Sequence, residues 1–439
     1  MIYRFRKINN QNINLLFFAF LVGLAVGLLG AIFRISINYI DEFRLNLFAE
    51  ANASDYTSWL WPILFAVVGV SVSLFLVKRY APESSGSGVQ EIEGALDGIR
   101  PVRWKRVIPV KFIASLFSLG SGLLLGREGP TIQIGGNVGK MIKDIFKQSD
   151  EENNPLVSAG AAAGLASAFN APFSGIIFVI EEMHGHFKFN FYSLAAIMIG
   201  SGTADFVVRA LTSSKAVIQM TVFHHINVYY LWLFIVLGLV FSLVGIIYNK
   251  LIFVALNFFE SIEKTPIIVI GILVGLILAI IGIFYPDMIG SGYGTISKAL
   301  NNSFGLSFLL VLFLVRMFLS IFSYGIGVPG GIFAPMLTLG VVLGMLYGNI
   351  MQDFFPDAIV SPSMFAVAGM AAIFASTVRA PLTGLVLAIE MTSNFELILP
   401  LIITTVTASA ITSLMGNKPI YTTLLKRTLE KEKIVFRQD

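Results

Sequence analysis

The sequence predicts an all-α polytopic membrane protein made of two homologous repeats, read as inverted, with broken and re-entrant helices. Three observations predict it: an apolar composition, several apolar runs of membrane-spanning length, and three motifs that return in the same order after nearly the same interval.

Of 439 residues, 56% are hydrophobic and 13% charged, about half the charged share of a soluble domain. Mean hydropathy is +0.81. The runs 14–40, 59–77, 229–256, 266–285 and 397–415 are each close to or above the roughly 20 residues that cross a bilayer as a helix. The first follows Arg4, Arg6 and Lys7. It is too long for the apolar core of a signal peptide and further spans follow, so it reads as the first membrane helix. Trp59, Trp61, Trp104 and Trp232 flank apolar runs as interfacial anchors do.

Basic residues collect at Arg100, Arg103, Lys105 and Arg106 and again at Lys418, Lys426, Arg427, Lys431 and Lys433, while Asp150, Glu151 and Glu152 form an acidic loop. The positive-inside rule then places both termini in the cytoplasm. The net charge of +4 is spread over loops, with no basic stripe interleaved with aromatics, so the expected partner is the lipid bilayer and not nucleic acid. The absence of cysteine excludes disulfides, thiolate catalysis and cysteine metal sites. His184, His186, His224 and His225 lie in polar connections without a third ligand at metal spacing. No metal and no cofactor is expected.

The repeat organises the chain. Gly86-Ser87-Gly88 returns as Gly290-Ser291-Gly292, an offset of 204 residues from Gly86 to Gly290. The stretch Gly126-Arg127-Glu128-Gly129-Pro130 aligns with Gly331-Ile332-Phe333-Ala334-Pro335, 205 residues on from Gly126 to Gly331. Finally, the stretch from Ala166 through Pro172 to Gly175 aligns with that from Ala375 through Pro381 to Gly384, 209 residues on, and both continue through apolar residues to Glu181 and Glu390. The expected division is a cytoplasmic N-terminus (1–13), a first membrane repeat (14–215), a connection (216–227), a second membrane repeat (228–425) and a cytoplasmic tail (426–439). Transporters built in this way hold their substrate near the midplane, where the halves meet. Glycine and proline within 331–351 and 380–392 suggest broken or re-entrant helices there.

Pro130 and Pro335 each follow a glycine-containing turn and precede an apolar run, as at the first position of a helix. Each motif therefore reads as a helix N-terminus inside the membrane, with unpaired amides and a partial positive charge that attract an anion. Glu128 stands at one such end. A carboxylate at that depth is costly and persists mainly where it has a function. Ionised, it takes the anion's place; protonated, it loses that attraction and swings away.

These residues together resemble the CLC family of chloride channels and chloride/proton antiporters, with the motifs in family order from Gly86-Ser87-Gly88 through Gly126 to Pro130 and Gly331 to Pro335 to Tyr421 in Gly416-Asn417-Lys418-Pro419-Ile420-Tyr421. The resemblance covers about residues 15–425 and is closest to the bacterial antiporters. It implies that the Ser87 hydroxyl, the Ile332 and Phe333 amides and the Tyr421 hydroxyl bind chloride, with Gly86, Gly88, Gly126, Arg127, Gly129, Pro130, Gly331, Ala334 and Pro335 forming the filter segments. It makes Glu128 the external gate and Glu182 the inner proton relay, a carboxylate that passive channels of the family commonly lack. It further implies chloride and protons as substrates, a homodimer and a bacterial inner membrane. Gln90 stands where the family usually has proline, which makes a less rigid turn expected there. Serine at position 87 implies chloride over nitrate. With 18 residues after Tyr421, nucleotide-sensing domains and ATP-linked regulation are not expected.

Glu91, Glu93, Asp97, Glu181 and Glu390 read as structural carboxylates, paired with residues such as Lys111 or with backbone donors. Three rival functions remain at this level. A passive chloride channel would use Glu128 as gate only, and Glu182 speaks for exchange. A fluoride exporter would depart from this pattern at Tyr421 and at the stretch containing Glu128. An intramembrane serine hydrolase using Ser87 would need a histidine base within reach, and the four histidines lie in polar connections.

Overall fold

The computed structural model describes residues 2–432 except 54–55, 149–154, 184, 186–189, 221–227, 263, 302 and 357–360, with side chains from residue 12 onward. The four histidines, the acidic loop Asp150, Glu151 and Glu152, and Lys433 thus lie outside the described residues. The first repeat comprises α1 (Ile2–Ala53), α2 (Leu60–Tyr80), α3 (Val89–Leu96), α4 (Trp104–Gly120), α5 (Glu128–Ile145), α6 (Pro155–Phe169), α7 (Pro172–Glu182) and α8 (Phe191–Leu211). The second comprises α9 (Trp232–Ser261), α10 (Ile267–Phe284), α11 (Tyr293–Leu300), α12 (Leu306–Gly325), α13 (Phe333–Phe354), α14 (Ser363–Thr377), α15 (Pro381–Thr392) and α16 (Ile398–Leu414). A last helix, α17 (Ile420–Lys431), runs across the expected boundary at 425 between the second repeat and the tail. Among the described residues eight helices are long and apolar enough to cross a membrane, and the protein is a multi-pass integral membrane protein.

Long and short helices alternate for a physical reason. The short α3 and α11 start from Gly88 and Gly292, at φ 84° and 99°, a backbone region that glycine enters without steric cost. The chain reverses there and aims each helix inward. The α6–α7 and α14–α15 pairs are interrupted at Asn170 (φ 52°) and Arg379 (φ 71°), repeat-equivalent residues in the left-handed region, with Pro172 and Pro381 opening the next helix. These turns are where the helices break. Within 331–351 and 380–392 the helices α13 and α15 run unbroken, contrary to expectation, because Gly331, Pro335 and Pro381 precede or open them while Gly340, Gly344, Gly348 and Gly384 sit inside them as close-packing positions against neighbouring backbone. Pro130 and Pro335 occupy the third helical position rather than the first, which is still within the turn whose amides need no intrahelical acceptor. The first apolar run belongs to a helix of 52 residues, far longer than its apolar stretch alone required.

Packing at the centre relies on small residues. All of α14 and all of α6 but Pro155 are buried. A side chain on Gly135 would strike the Gly160 carbonyl, and one on Gly340 the Gly369 carbonyl. These are equivalent pairs in the two repeats, and they let α5 lie on α6 and α13 on α14 at the close range typical of membrane helices.

The symmetry is also visible in polar contacts. Glu181, in the last turn of α7, accepts from the amides of Leu382 (3.0 Å) and Thr383 (2.7 Å) at the start of α15. Glu390, in the last half of α15, accepts from Phe173 (3.1 Å) and Ser174 (2.7 Å) at the start of α7. Each carboxylate caps the other repeat's helix, where the positive end of the helix dipole favours it. Equivalent helices therefore run antiparallel, and the two-fold relating the repeats inverts one against the other. The structural reading of Glu181 and Glu390 rests on these contacts.

Candidate functional site

Two loops and four helix starts meet at the centre. Gly126 and Gly331 donate to each other's carbonyls at 2.7 Å, so the segments that lead into α5 and α13 are fastened side by side. Gly86 joins them: its amide reaches the Val328 carbonyl at 3.1 Å, and the Gly330 amide reaches the Gly86 carbonyl at 3.0 Å. A Cβ on Gly129 would stand 2.6 Å from Ser87 Oγ, which is why glycine comes directly after Glu128. The starts of α3, α5 and α13 are thus held within contact of one another, and Tyr421, in the first turn of α17, packs on Phe333 with ring centroids 5.9 Å apart.

Each helix start brings unpaired amides and a share of positive dipole to this point. Ile332 is the N-cap of α13 and Phe333 its first residue, so their amides are donors that the helix leaves free. Ser87 and Tyr421 are fully buried with their hydroxyls beside each other, and neither hydroxyl has a further hydrogen-bond partner. Two orphaned hydroxyls facing the amide-rich end of α13 form a donor set suited to an anion. The Ser87 amide is directed to the Tyr324 hydroxyl at 3.5 Å. Gln90 is buried in the first turn of α3, which begins at Val89 from the Gly88 cap, so glutamine in place of proline leaves the turn intact.

Burial of a lysine completes this end of the site. Lys111 on α4 is fully buried, and its Nζ donates to the carbonyls of Ser84 (3.0 Å), Gly86 (2.8 Å) and Ser87 (3.2 Å). It does not pair with a carboxylate, contrary to expectation: Glu91 is held instead by Arg100 at 2.8 Å. The lysine gathers these three carbonyls on one side of the loop that leads into α3. Arg316, 205 residues later on α12, does the same for Asp287, Ile289 and Gly290.

Glu128 is the first residue of α5 and fully buried. One oxygen accepts from the Tyr293 hydroxyl; the other is buried without a hydrogen bond. The carboxylate stands against its own helix start and against the Ala334 amide of α13. Glu182, the last residue of α7, lies beside Glu181 and Arg379, with one oxygen buried and unpartnered. Glu93 on α3 faces Glu182, and both of its oxygens are buried without a partner, so the expected backbone or lysine partner is not there. Phe178, one turn before Glu182 on α7, packs edge-on against Phe333 at 5.7 Å.

A cavity of about 570 Å³ opens beside Ser87, reaching Gly86, Gln90 and Tyr324 at its inner end and Lys78, Arg103 and Arg106 at its mouth. On the other side, near Glu128, stand Arg127 and Arg34. The cavity's arginines are largely paired with Glu83, Glu91, Glu260 and Glu432 in the same lining.

Sequence reasoning missed Tyr293, Tyr324 and the role of Lys111. The lysine had a readable signal: a cation in an apolar helix recurs as Arg316 at the repeat offset. The tyrosines had none, because each meets its partner from the opposite repeat.

Comparison with known proteins identifies the family. Residues 68–413 match the family described as voltage gated chloride channel. A relative named H(+)/Cl(-) exchange transporter ClcA from Vibrio vulnificus (strain YJ016) is 43% identical over 437 residues, covering 99% of this chain and 94% of that one. The X-ray structure of a slow cyanobacterial Cl-/H+ antiporter superposes with TM-score 0.92 at 38% identity, covering 95% of this chain and 99% of that one. A CLC-type fluoride/proton antiporter shares the fold alone, with TM-score 0.75 at 19% identity over 91% of this chain and 95% of that one. Fold, repeat and matched sequence agree: the chain belongs to the voltage-gated chloride channel, or CLC, family.

Proposed function

We propose that this protein exchanges chloride for protons across the membrane, with Glu128 as the gate both ions share and Glu182 as the inner proton relay. The observation that carries the reading is the seat of the Glu128 carboxylate, in the anion's own place between the starts of α5 and α13. Relatives named as H(+)/Cl(-) exchangers support the choice of ions.

Charge drives the cycle. Ionised Glu128 competes with chloride for the same helix-end amides. Protonation removes its charge and with it the attraction, and the neutral side chain swings out while chloride takes the seat. Ser87, Tyr421 and the Ile332 and Phe333 amides then hold the dehydrated anion by donors that carry no full charge, so that it can leave again. Chloride reaches Ser87 from the cavity lined by Gly86, Gln90 and Tyr324, which we place on the cytoplasmic side with both termini.

Protons take another route. Glu182 receives them on the cytoplasmic side and passes them to Glu128. Phe178 and Phe333 lie along this way, and their rings neither donate nor accept a proton, so the transfer runs on water.

We further place the protein in a bacterial inner membrane as a homodimer. The helices α7 and α15, of 11 and 12 residues, are too short to span alone, and they expose Phe173 (64%) and Leu382 (57%) on a surface fit for a second copy.

The test is coupled flux. In proteoliposomes given only a chloride gradient, the purified protein drives protons uphill; chloride flux with no proton movement would make it a channel.

A further inference from the structure

Tyr293 opens α11 directly after the second glycine-serine-glycine turn, and its hydroxyl donates to Glu128 Oε1. The Arg127 guanidinium lies over its ring, 4.9 Å from the centroid. The charged groups facing this pair are Arg127 from α5 and Arg34 from α1, with the Ala334 amide of α13 on the far side of the carboxylate. Arg34 is engaged with Asn170 at 2.5 Å. Among the described residues, the Glu128 carboxylate is thus the one carboxylate facing the tyrosine. The equivalent residue of the first repeat is Val89, buried and apolar, so the turn and the helix form without a hydroxyl at this position. A phenol is not a demand of the fold.

We propose that Tyr293 is a positioning residue for the gate: its hydroxyl holds ionised Glu128 in the anion seat and sets the pH at which protonation releases it. The proposal rests on the reading of Glu128 as the gate. A hydrogen bond to an ionised acceptor is stronger than one to the same group neutralised, so the phenol favours the seated, charged form and must be outcompeted by the proton. The hydroxyl keeps its own proton throughout. Arg127, stacked on the ring, fixes the direction in which the hydroxyl points.

The experiment measures chloride flux against pH in proteoliposomes for the wild type, Tyr293→Phe, Glu128→Gln and the double variant. Tyr293→Phe removes one oxygen and keeps the ring under Arg127. It moves the pH midpoint of flux upward by about one unit, the size expected for one hydrogen bond to a charged group, and raises flux at neutral pH while proton coupling persists. In the Glu128→Gln background the same substitution changes nothing, because the group it acts through no longer titrates. An unshifted profile in Tyr293→Phe, or an equal shift in the Glu128→Gln background, overturns the proposal. Should Glu128→Gln itself keep the wild-type pH dependence, the gate reading fails first. Should Tyr293→Phe not fold, 3-fluorotyrosine at position 293, a stronger donor, moves the midpoint downward; an unshifted or raised midpoint then overturns it.

Discussion

Gly126 and Gly331 are equivalent residues of the two repeats, and each donates its amide to the other's carbonyl at 2.7 Å. This exchange fixes the starts of α5 and α13 at one point near the two-fold axis, so the residues just beyond each glycine face a shared space. Those residues differ between the repeats: two positions on, the first carries Glu128 and the second Phe333. A symmetric scaffold thereby acquires one titratable group at a position its copy fills with a phenyl ring.

The two orphaned hydroxyls give the first expectation. Ser87→Ala and Tyr421→Phe each remove one donor to the bound anion, a hydrogen bond to a charged group that contributes about 1.5–3 kcal/mol. Chloride affinity measured by calorimetry falls by roughly 10- to 100-fold in each. Unchanged affinity in either variant removes that residue from the site.

Adjacent carboxylates in the acidic pair of α7 have separable roles. Glu182→Gln retains chloride flux and loses proton coupling in liposomes. Glu181→Gln weakens the cap on α15 and costs about 1 kcal/mol of stability, and Glu390→Gln does the same at α7, while both keep coupled transport. Loss of coupling in Glu181→Gln with full coupling in Glu182→Gln would exchange the two assignments.

Buried cations distinguish the working half from its copy. Lys111→Met removes a shared donor from the Ser84, Gly86 and Ser87 carbonyls, of which Gly86 keeps the Gly330 amide, and Arg316→Met does the same to the equivalent loop, where Asp287 keeps the Thr295 hydroxyl; each loses about 1–3 kcal/mol of stability, read as a lower unfolding temperature in detergent. Only Lys111→Met also weakens chloride binding, because only its carbonyls border Ser87. Equal effects on chloride affinity would show that the lysine acts through the fold alone.

Particular residues show how much of this was legible beforehand. The helix starts at Gly88, Glu128 and Phe333 were readable because glycine, serine and proline punctuate the apolar runs at fixed offsets, and the repeat doubled each signal. Glu128 was readable as a carboxylate in an apolar setting. The cross-repeat caps by Glu181 and Glu390 were legible as a shared structural role but not as contacts, since their partners lie more than 200 residues away. Lys111 was misassigned because a buried cation suggests a carboxylate partner, whereas the Ser84, Gly86 and Ser87 carbonyls satisfy it. Tyr293 and Tyr324 stayed hidden because a tyrosine beside an apolar run looks like any other interfacial or core aromatic until the inverted repeat brings it across. Helix breaks at Asn170 and Arg379 were obscured for a related reason: neither is glycine, and only the left-handed backbone reveals the turn.

The central claim is that one side chain carries both ions through the anion seat. Its most direct test is simultaneous recording of chloride and proton flux in proteoliposomes containing Glu128→Gln, a neutral isostere that cannot exchange a proton. The account predicts chloride flux that persists and no longer varies with pH, together with proton movement at the level of empty liposomes. Uphill proton transport surviving in that variant would contradict it.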